Sequence, residues 1–569
     1  MLEIFKLFLG VLNARQRKLF AVYIILLFVG SISSIFGIGA VIPFISVLLE
    51  PDRLQNYSFL NGYSYHFIVL CLALGLIVAF WVKNLIAAIL LCYQVRFLNS
   101  ITMNVQNKLF RKYILMDYSH HLNRSTPALI RNISVETSQF STGIVNPLGV
   151  LITDIFSTFF IVIALFSLSI VFSGVIITSL AVFVLSFVFY IRKKNAKFGL
   201  LRSSTWEEMN KITLNSLNGI KEVKLYQKES VFINAFNHGS YQLKNATVFN
   251  NFYQQIPRMF IEVVSISMVL VMLVVFIYSG VSTVDLFVLL SVFGVASAQL
   301  LPALNRIMAS LTNIKYSKQA LVTIHKELFN YCDKVLDDVN SIEVKKASFT
   351  RSIMLKKIFY SYSNGTKALN NVNVEIKKGL KTAFVGSSGA GKSTLVDLIL
   401  GFYEPQSGQV VLDGKILRTK KEKLSFQKLF AYIPQQIILY DCSVRENIAF
   451  AVDDCDIDDD LVWKCLKMAQ LEEFVKELSQ GMHTFVGENG IRLSGGQRQR
   501  LGIARALYQR PDILVMDEAT SALDNETEKE ITEVIKNLKD ITIITISHRL
   551  STIEGYDRIY KLNKGSVVS

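Results

Sequence analysis

Gly386, Ser387, Ser388, Gly389, Ala390, Gly391, Lys392 and Ser393 stand in the order G-x-x-x-x-G-K-S. Glycines at these spacings free backbone N–H groups to surround phosphates, the lysine can reach the terminal phosphates, and the serine hydroxyl can ligate Mg²⁺. The run follows the apolar, strand-like Ala383–Val385 and precedes the apolar, helix-like Thr394–Leu400, the context this chemistry requires. A second strand-like run, Ile513–Met516, ends in Asp517 and Glu518. An aspartate at a strand end can hold Mg²⁺ through water, and the next carboxylate is placed to polarise an attacking water. Beside an unrelated strand the two acids would form a solvated corner; paired with a phosphate loop they describe nucleoside triphosphate hydrolysis.

Two further motifs narrow the reading. Leu493, Ser494, Gly495, Gly496 and Gln497 precede the basic, helix-like Arg498–Tyr508, and the acidic strand end continues as Ala519-Thr520-Ser521-Ala522-Leu523-Asp524. With its LSGGQ signature the chain resembles the ATP-binding-cassette family, and the resemblance runs over nearly the whole chain, with sharp motifs in 360–550. It implies ATP and Mg²⁺ as cofactors. Tyr362 would stack on adenine, and Gly386 to Thr394 would hold the phosphates. Ser393, Gln435 and Asp517 would serve the metal. Glu518, Gln435 and His548 would be catalytic, and Asp524 would couple the two sites. Without the other motifs, His548 after an apolar strand would read as structural. Ser494, Gly495, Gly496 and Gln497 would close the ATP bound to a second copy, so the resemblance implies a dimer. The intact set of site residues points to a homodimer. Thr484-Phe485-Val486-Gly487-Glu488-Asn489-Gly490 resembles the T-x-V-G-E-x-G segment of exporters. Exporter chains often continue beyond a position like Lys564-Gly565, and the contacts of such a tail are expected to be missing here.

These residues need a scaffold, and composition divides the chain. Of 569 residues 51% are hydrophobic, with mean hydropathy +0.38. The excess lies in 1–330, whereas 340–569 reads as an ordinary charged α/β domain. The expected fold is therefore a polytopic α-helical membrane domain, residues 1–330, fused to a cytosolic α/β P-loop domain, residues 340–569. Apolar segments cover roughly 19–49, 64–94, 147–170, 173–191, 258–279 and 284–311, long enough for six transmembrane helices. A tight turn at Phe172-Ser173-Gly174 is expected between the third and fourth. The first apolar segment is too long for a cleaved signal peptide and is expected to remain in the protein. The six cysteines show no C-x-x-C spacing and read as reduced thiols.

Basic residues orient the spans. Lys6, Arg15, Arg17 and Lys18 precede the first; Arg96, Lys108, Arg111, Lys112, Arg124 and Arg131 follow the second; Arg192, Lys193, Lys194, Lys197 and Arg202 follow the fourth. Among the short connections only Arg53 breaks the pattern. The positive-inside rule puts both termini, both long loops and the P-loop domain in the cytoplasm, with folds back expected around Tyr118–Ser125 and Leu214–Lys221. The net charge of +15 is distributed as membrane topology requires, which argues against nucleic acid as a partner.

Lys83, Arg258 and Arg306 are charges within apolar segments, expensive and functional by default. Counting at about 1.5 Å per residue puts all three at one depth near the cytoplasmic leaflet, where they could ring a cavity for an anionic cargo. The bland alternative is snorkelling to lipid headgroups, with Arg258 paired to Glu262. The membrane half most resembles bacterial flippases for lipid-linked oligosaccharides, through Gly37–Ile45, the loop Glu50–Tyr63 and these cations. That resemblance implies a polyprenyl-pyrophosphate-linked oligosaccharide as cargo, membrane lipids as partners and the bacterial inner membrane as location. The lysine at position 83 lacks the bidentate geometry of arginine, which weakens the match. A general lipid or hydrophobic-drug exporter is the alternative; a gated channel or sensor is disfavoured by the intact catalytic set.

Overall fold

The computed structural model describes residues 1–39, 64–122, 124–167, 170–278, 283–329, 344–362, 364–518, 525–538, 541–547 and 553–568, with Phe44, Val47 and Leu48. Most of Gly37–Ile45, the loop Glu50–Tyr63, Asp524 and His548 lie outside the described residues. The chain forms two compact units, Met1–Met116 with His121–Asp337, and Asp117–His120 with Asp338–Ser569.

The first unit is helical. It comprises α1 (Leu2–Val11), α2 (Ala14–Gly39), α3 (Tyr65–Leu115), α5 (Thr126–Phe166), α6 (Ile170–Asn218), α7 (Ile220–Leu225), α8 (Glu229–Tyr278), α9 (Thr283–Tyr316) and α10 (Lys318–Phe329), whereas the short α4 (Tyr118–Leu122) is divided between the two units at His120. Among the described residues α3, α5 and the Glu229–Val271 part of α8 are long and apolar enough to cross a membrane. Because a backbone in lipid must satisfy its own hydrogen bonds, apolar runs of this length become uninterrupted helices. Ser64 starts α3 by accepting a hydrogen bond from the Phe67 amide. The helices continue well past the apolar stretches and are there held by buried and half-buried polar pairs. Arg202 Nη2 donates to Glu136 Oε2 at 3.3 Å, with the two side chains 6% and 0% exposed. Arg124 bridges Glu327 at 2.6 Å.

One departure from the sequence expectation has a physical cause. The helix of the third apolar segment ends at Phe166 and α6 begins at Ile170, so Phe172, Ser173 and Gly174 lie inside α6. The serines decide this: Ser167 Oγ donates to the Ala164 carbonyl and terminates α5, whereas the buried Ser173 hydroxyl donates to the Leu165 carbonyl and needs no turn. The second fold back begins after Asn218, inside the expected Leu214–Lys221, and is completed before Glu229. Helix α5 also carries two π-helical turns, Asn132–Glu136 and Ser141–Val145. The second directly precedes Pro147, whose ring would press on the Gly143 carbonyl in a regular α-turn. Pro257 lies inside α8 and Pro302 inside α9.

In the second unit one sheet is β2-β1-β4-β5, built from β1 (Ser352–Ser361), β2 (Lys367–Lys377), β4 (Ser407–Leu412) and β5 (Lys415–Ile416), all antiparallel. The other has the order β10-β9-β3-β8-β7-β6. It contains β3 (Lys381–Val385), β6 (Phe430–Ile433), β7 (Ile513–Asp517), β8 (Thr542–Ile546), β9 (Arg558–Asn563) and β10 (Ser566–Val567). Strands β9, β3, β8, β7 and β6 run parallel. Thr542–Ile546 is buried at every position, which is why it reads as an unbroken apolar strand rather than an alternating one. Helix α11 (Lys392–Ile399) packs between the sheets, and α16 (Gly495–Tyr508) joins the second core with α12 (Lys420–Gln427), α13 (Val444–Ile448), α14 (Asp459–Met468), α15 (Glu472–Glu477) and α17 (Asn525–Asn537) completing the unit.

Candidate nucleotide site and membrane-unit cavity

Parallel pairing puts the carboxyl ends of β3, β8, β7 and β6 side by side, the place where α/β sheets bind ligands. From β3 the chain enters the loop Gly386–Gly391 and then α11. Gly391 has φ +98°, and a Cβ there would lie 2.6 Å from the Ala368 carbonyl oxygen, so only glycine fits. Lys392 Nζ donates to the loop's own carbonyls, Gly386 O at 2.9 Å and Ser387 O at 3.0 Å, which holds the ammonium over the cradle. Burial pulls the Lys392 pKa down from its usual value, and the charges of Glu518 and Asp517 oppose that shift.

The acidic side is built from neighbouring strands. Asp517 ends β7 and accepts from the Tyr432 hydroxyl at 3.3 Å. Glu518 has φ +46°, an uncommon conformation for a non-glycine residue, fixed by its amide bonding Ile546 O at 3.1 Å. Gln435 Nε2 donates to Glu518 Oε2 at 3.0 Å. Asp397 on α11 is pushed up to about 6 by burial and by the Asp517 charge. Asp517 and Glu518 thus put carboxylates beside a phosphate cradle, an arrangement that fits a divalent cation held largely by a triphosphate. Tyr362 follows β1, with its hydroxyl 2.6 Å from Thr394 Oγ1. Ser494 caps α16: its Oγ accepts from the Gln497 amide at 3.2 Å, and its own amide donates to Gln497 Oε1 at 2.8 Å. Ser494 and Gly495 are exposed, open to a second molecule.

In the helical unit a cavity of about 590 Å³ is lined by Arg258, Glu262, Ala298, Pro302, Asn305 and Arg306 among others. Arg306 Nε and Nη2 grip Asp154 Oδ2 and Oδ1 at 2.9 and 2.7 Å, and the Asp154 side chain is only 4% exposed. Asn305 Oδ1 is buried without a hydrogen-bond partner among the described residues. No ion pair joins Arg258 to Glu262 there. Lys83 Nζ instead donates to Gln299 Oε1 at 3.0 Å and lies over the Phe80 ring. Gln299 precedes Arg306 on α9 by roughly 10 Å of helix at about 1.5 Å per residue, so the three cations do not share one depth. Counting from assumed span starts could not register the crossing of α3 with α9. Asp154 and Gln299 were missed by the sequence reading. A signal existed: Asp154 is a lone acid inside the apolar run 147–166 and needed a cation.

Residues 369–521 match the profile described as ABC transporter, and residues 18–300 that of the ABC transporter transmembrane region. The ATP-dependent lipid A-core flippase of Photobacterium profundum is 31% identical over 82% of this chain and 79% of its own length. That of Pseudoalteromonas translucida is 30% identical over 83% and 80%. A solved bacterial Atm1-family ABC exporter with ATP bound superposes with a TM-score of 0.77, covering 98% of this chain and 96% of the other at 22% identity. The chain belongs to the ATP-binding-cassette transporter family. It has the exporter fold, with a helical membrane domain followed by a nucleotide-binding domain, and it is an ATPase, using ATP and Mg²⁺, that drives transport.

Proposed function

We propose that two copies of the chain form a flippase in the bacterial inner membrane, with the nucleotide-binding domains in the cytoplasm. It moves a lipid with a phosphate-bearing glycan headgroup, such as a polyprenyl-pyrophosphate-linked oligosaccharide, out of the cytoplasmic leaflet. The observation that carries this reading is that Arg258 and Arg306 line one cavity. Phosphate would take charge-assisted hydrogen bonds from the guanidinium groups, and Lys83 would meet the cargo further along α9. The relatives named lipid A-core flippases support a lipid cargo. In the nucleotide site Lys392 and the loop amides hold the phosphates, Ser393, Asp517 and Gln435 serve the Mg²⁺, and Glu518 takes the proton of the attacking water. Bound Mg²⁺ would supply neutralisation of the phosphate charge. Ser494 to Gln497 close the partner's site.

Three single variants, Lys83→Gln, Arg258→Gln and Arg306→Gln, test the cargo reading in proteoliposomes holding a polyprenyl-pyrophosphate oligosaccharide or a lipid A-core glycolipid. Arg258→Gln is expected to lower flipping at least about tenfold, the effect of one charge-assisted hydrogen bond. Wild-type flipping by all three variants would remove the cationic site. It would favour the second reading, a neutral-lipid or drug exporter, which the neutralisation of Arg306 by Asp154 supports. For the dimer, Ser494→Cys and Ser388→Cys on separate chains are expected to cross-link on ATP addition. Cross-linking that ignores nucleotide would refute a composite site.

A further inference from the structure

A second, larger cavity in the helical unit has a different chemistry. Its volume is about 710 Å³, and its walls come from α5, α6, α8 and α9. Arg202 and Trp206 face Asn250 and Gln254, with Asn313 and Tyr316 closing a third side. Gln254 Nε2 and Asn250 Nδ2 both donate to Asn313 Oδ1, at 2.7 and 3.3 Å. Arg202 Nε and Asn250 Oδ1 have no hydrogen-bond partner among the described residues, although the two residues are only 5% and 7% exposed. Leaving such groups unsatisfied is costly, and both belong to residues that line the cavity, which favours a polar over an apolar ligand there. Both π-turns of α5 contribute to the rim, through Ser134 and Val135 and through Thr142 and Gly143. Such turns widen a helix and are frequent at functional sites.

Charge separates this cavity from the one at Arg258. Arg202 is already paired with Glu136, so the wall offers carboxamides, hydroxyls and two aromatic rings at near-neutral charge. Carboxamide and hydroxyl groups match vicinal hydroxyls, each of which donates and accepts, and the half-buried Trp206 offers an apolar face to sugar C–H groups.

We infer that this cavity is a glycan subsite, which binds the uncharged sugars of the cargo headgroup through Asn250, Gln254, Asn313 and Trp206. The inference rests on the glycolipid reading above and adds the part of the cargo recognised here. The full-length protein in proteoliposomes provides the test. ATPase stimulation is titrated with polyprenyl-pyrophosphate disaccharide and with the same polyprenyl pyrophosphate lacking sugar. Asn250→Leu is expected to raise the half-maximal concentration of the sugar-bearing lipid about tenfold, the effect of one lost hydrogen bond, and that of the sugarless lipid less than about twofold. Trp206→Leu, on the facing wall, is expected to act in the same selective way and serves if the first variant does not fold. Arg258→Gln is expected to weaken both lipids. If Asn250→Leu and Trp206→Leu shift both lipids equally or neither, the glycan subsite is wrong and the flippase reading stands. If neither lipid stimulates the wild-type protein, both are wrong.

Discussion

Glu518→Gln is expected to bind ATP with near-wild-type affinity and to hydrolyse it at about a hundredth of the wild-type rate or less, the usual scale for removing a general base. The phosphate cradle comes from β3 and α11, whereas Glu518 comes from the end of β7, so the substitution leaves the cradle in place. The backbone at 518 is held by its amide bond to Ile546 O, which glutamine keeps. The contact with Gln435 also survives, because a carboxamide oxygen can accept from Gln435 Nε2 as the carboxylate does. What disappears is the capacity to take a proton. Nucleotide binding and single-turnover hydrolysis on the same preparation separate the two effects. Turnover above about half of wild type would assign the base elsewhere.

Glu136→Gln is expected to give the largest loss of stability in the helical unit. The carboxylate is fully buried and receives both Arg202 Nη2 and the Ser203 hydroxyl, the latter at 2.9 Å. Removing its charge leaves the Arg202 guanidinium buried without a counter-ion, a change that costs about 3–5 kcal/mol where one member of a buried pair is removed. The two pair members lie on different helices, α5 and α6, so the loss loosens a tertiary contact rather than one helix. Thermal unfolding of the purified protein, followed by loss of its monodisperse peak, measures it. The double variant Glu136→Leu with Arg202→Leu is expected to recover much of the loss, since an apolar pair carries no desolvation cost. A melting temperature unchanged in Glu136→Gln would show that water reaches the pair.

Much of the nucleotide site was legible in the sequence because its chemistry is local. Gly386 to Ser393 form one loop and the first residues of α11, whose glycines have backbone reasons to be there, and Asp517 and Glu518 are adjacent in the chain. The strand order that brings Gln435 to Glu518 is nonlocal, and it entered through resemblance rather than through spacing. The membrane half was legible only as a set of spans. Apolar length locates a helix, but the neighbour of each polar group depends on how helices cross. Asp154 and Arg306 are far apart in sequence and bidentate in the fold, and Lys83 found Gln299, a residue with no charge to draw attention. The misplaced turn at Phe172-Ser173-Gly174 has the same origin. Gly174 suggested a break, whereas a serine hydroxyl bonded to a carbonyl outside its own helix lets the helix run through.

Pro257 and Pro302 give the cavity at Arg258 a mechanical character. Each lacks an N–H, so the carbonyls one turn back, at Tyr253 and Ala298, lose their helical donors. Pro302 and Ala298 lie in the cavity wall itself, and Pro257 adjoins Arg258. Bending stiffness in a helix comes from its ladder of backbone bonds, and here the ladder of each of two adjacent helices is missing a rung beside the same cavity. These two long levers are therefore most compliant where a headgroup would press on them, and a load applied there bends α8 and α9 before it strains either end.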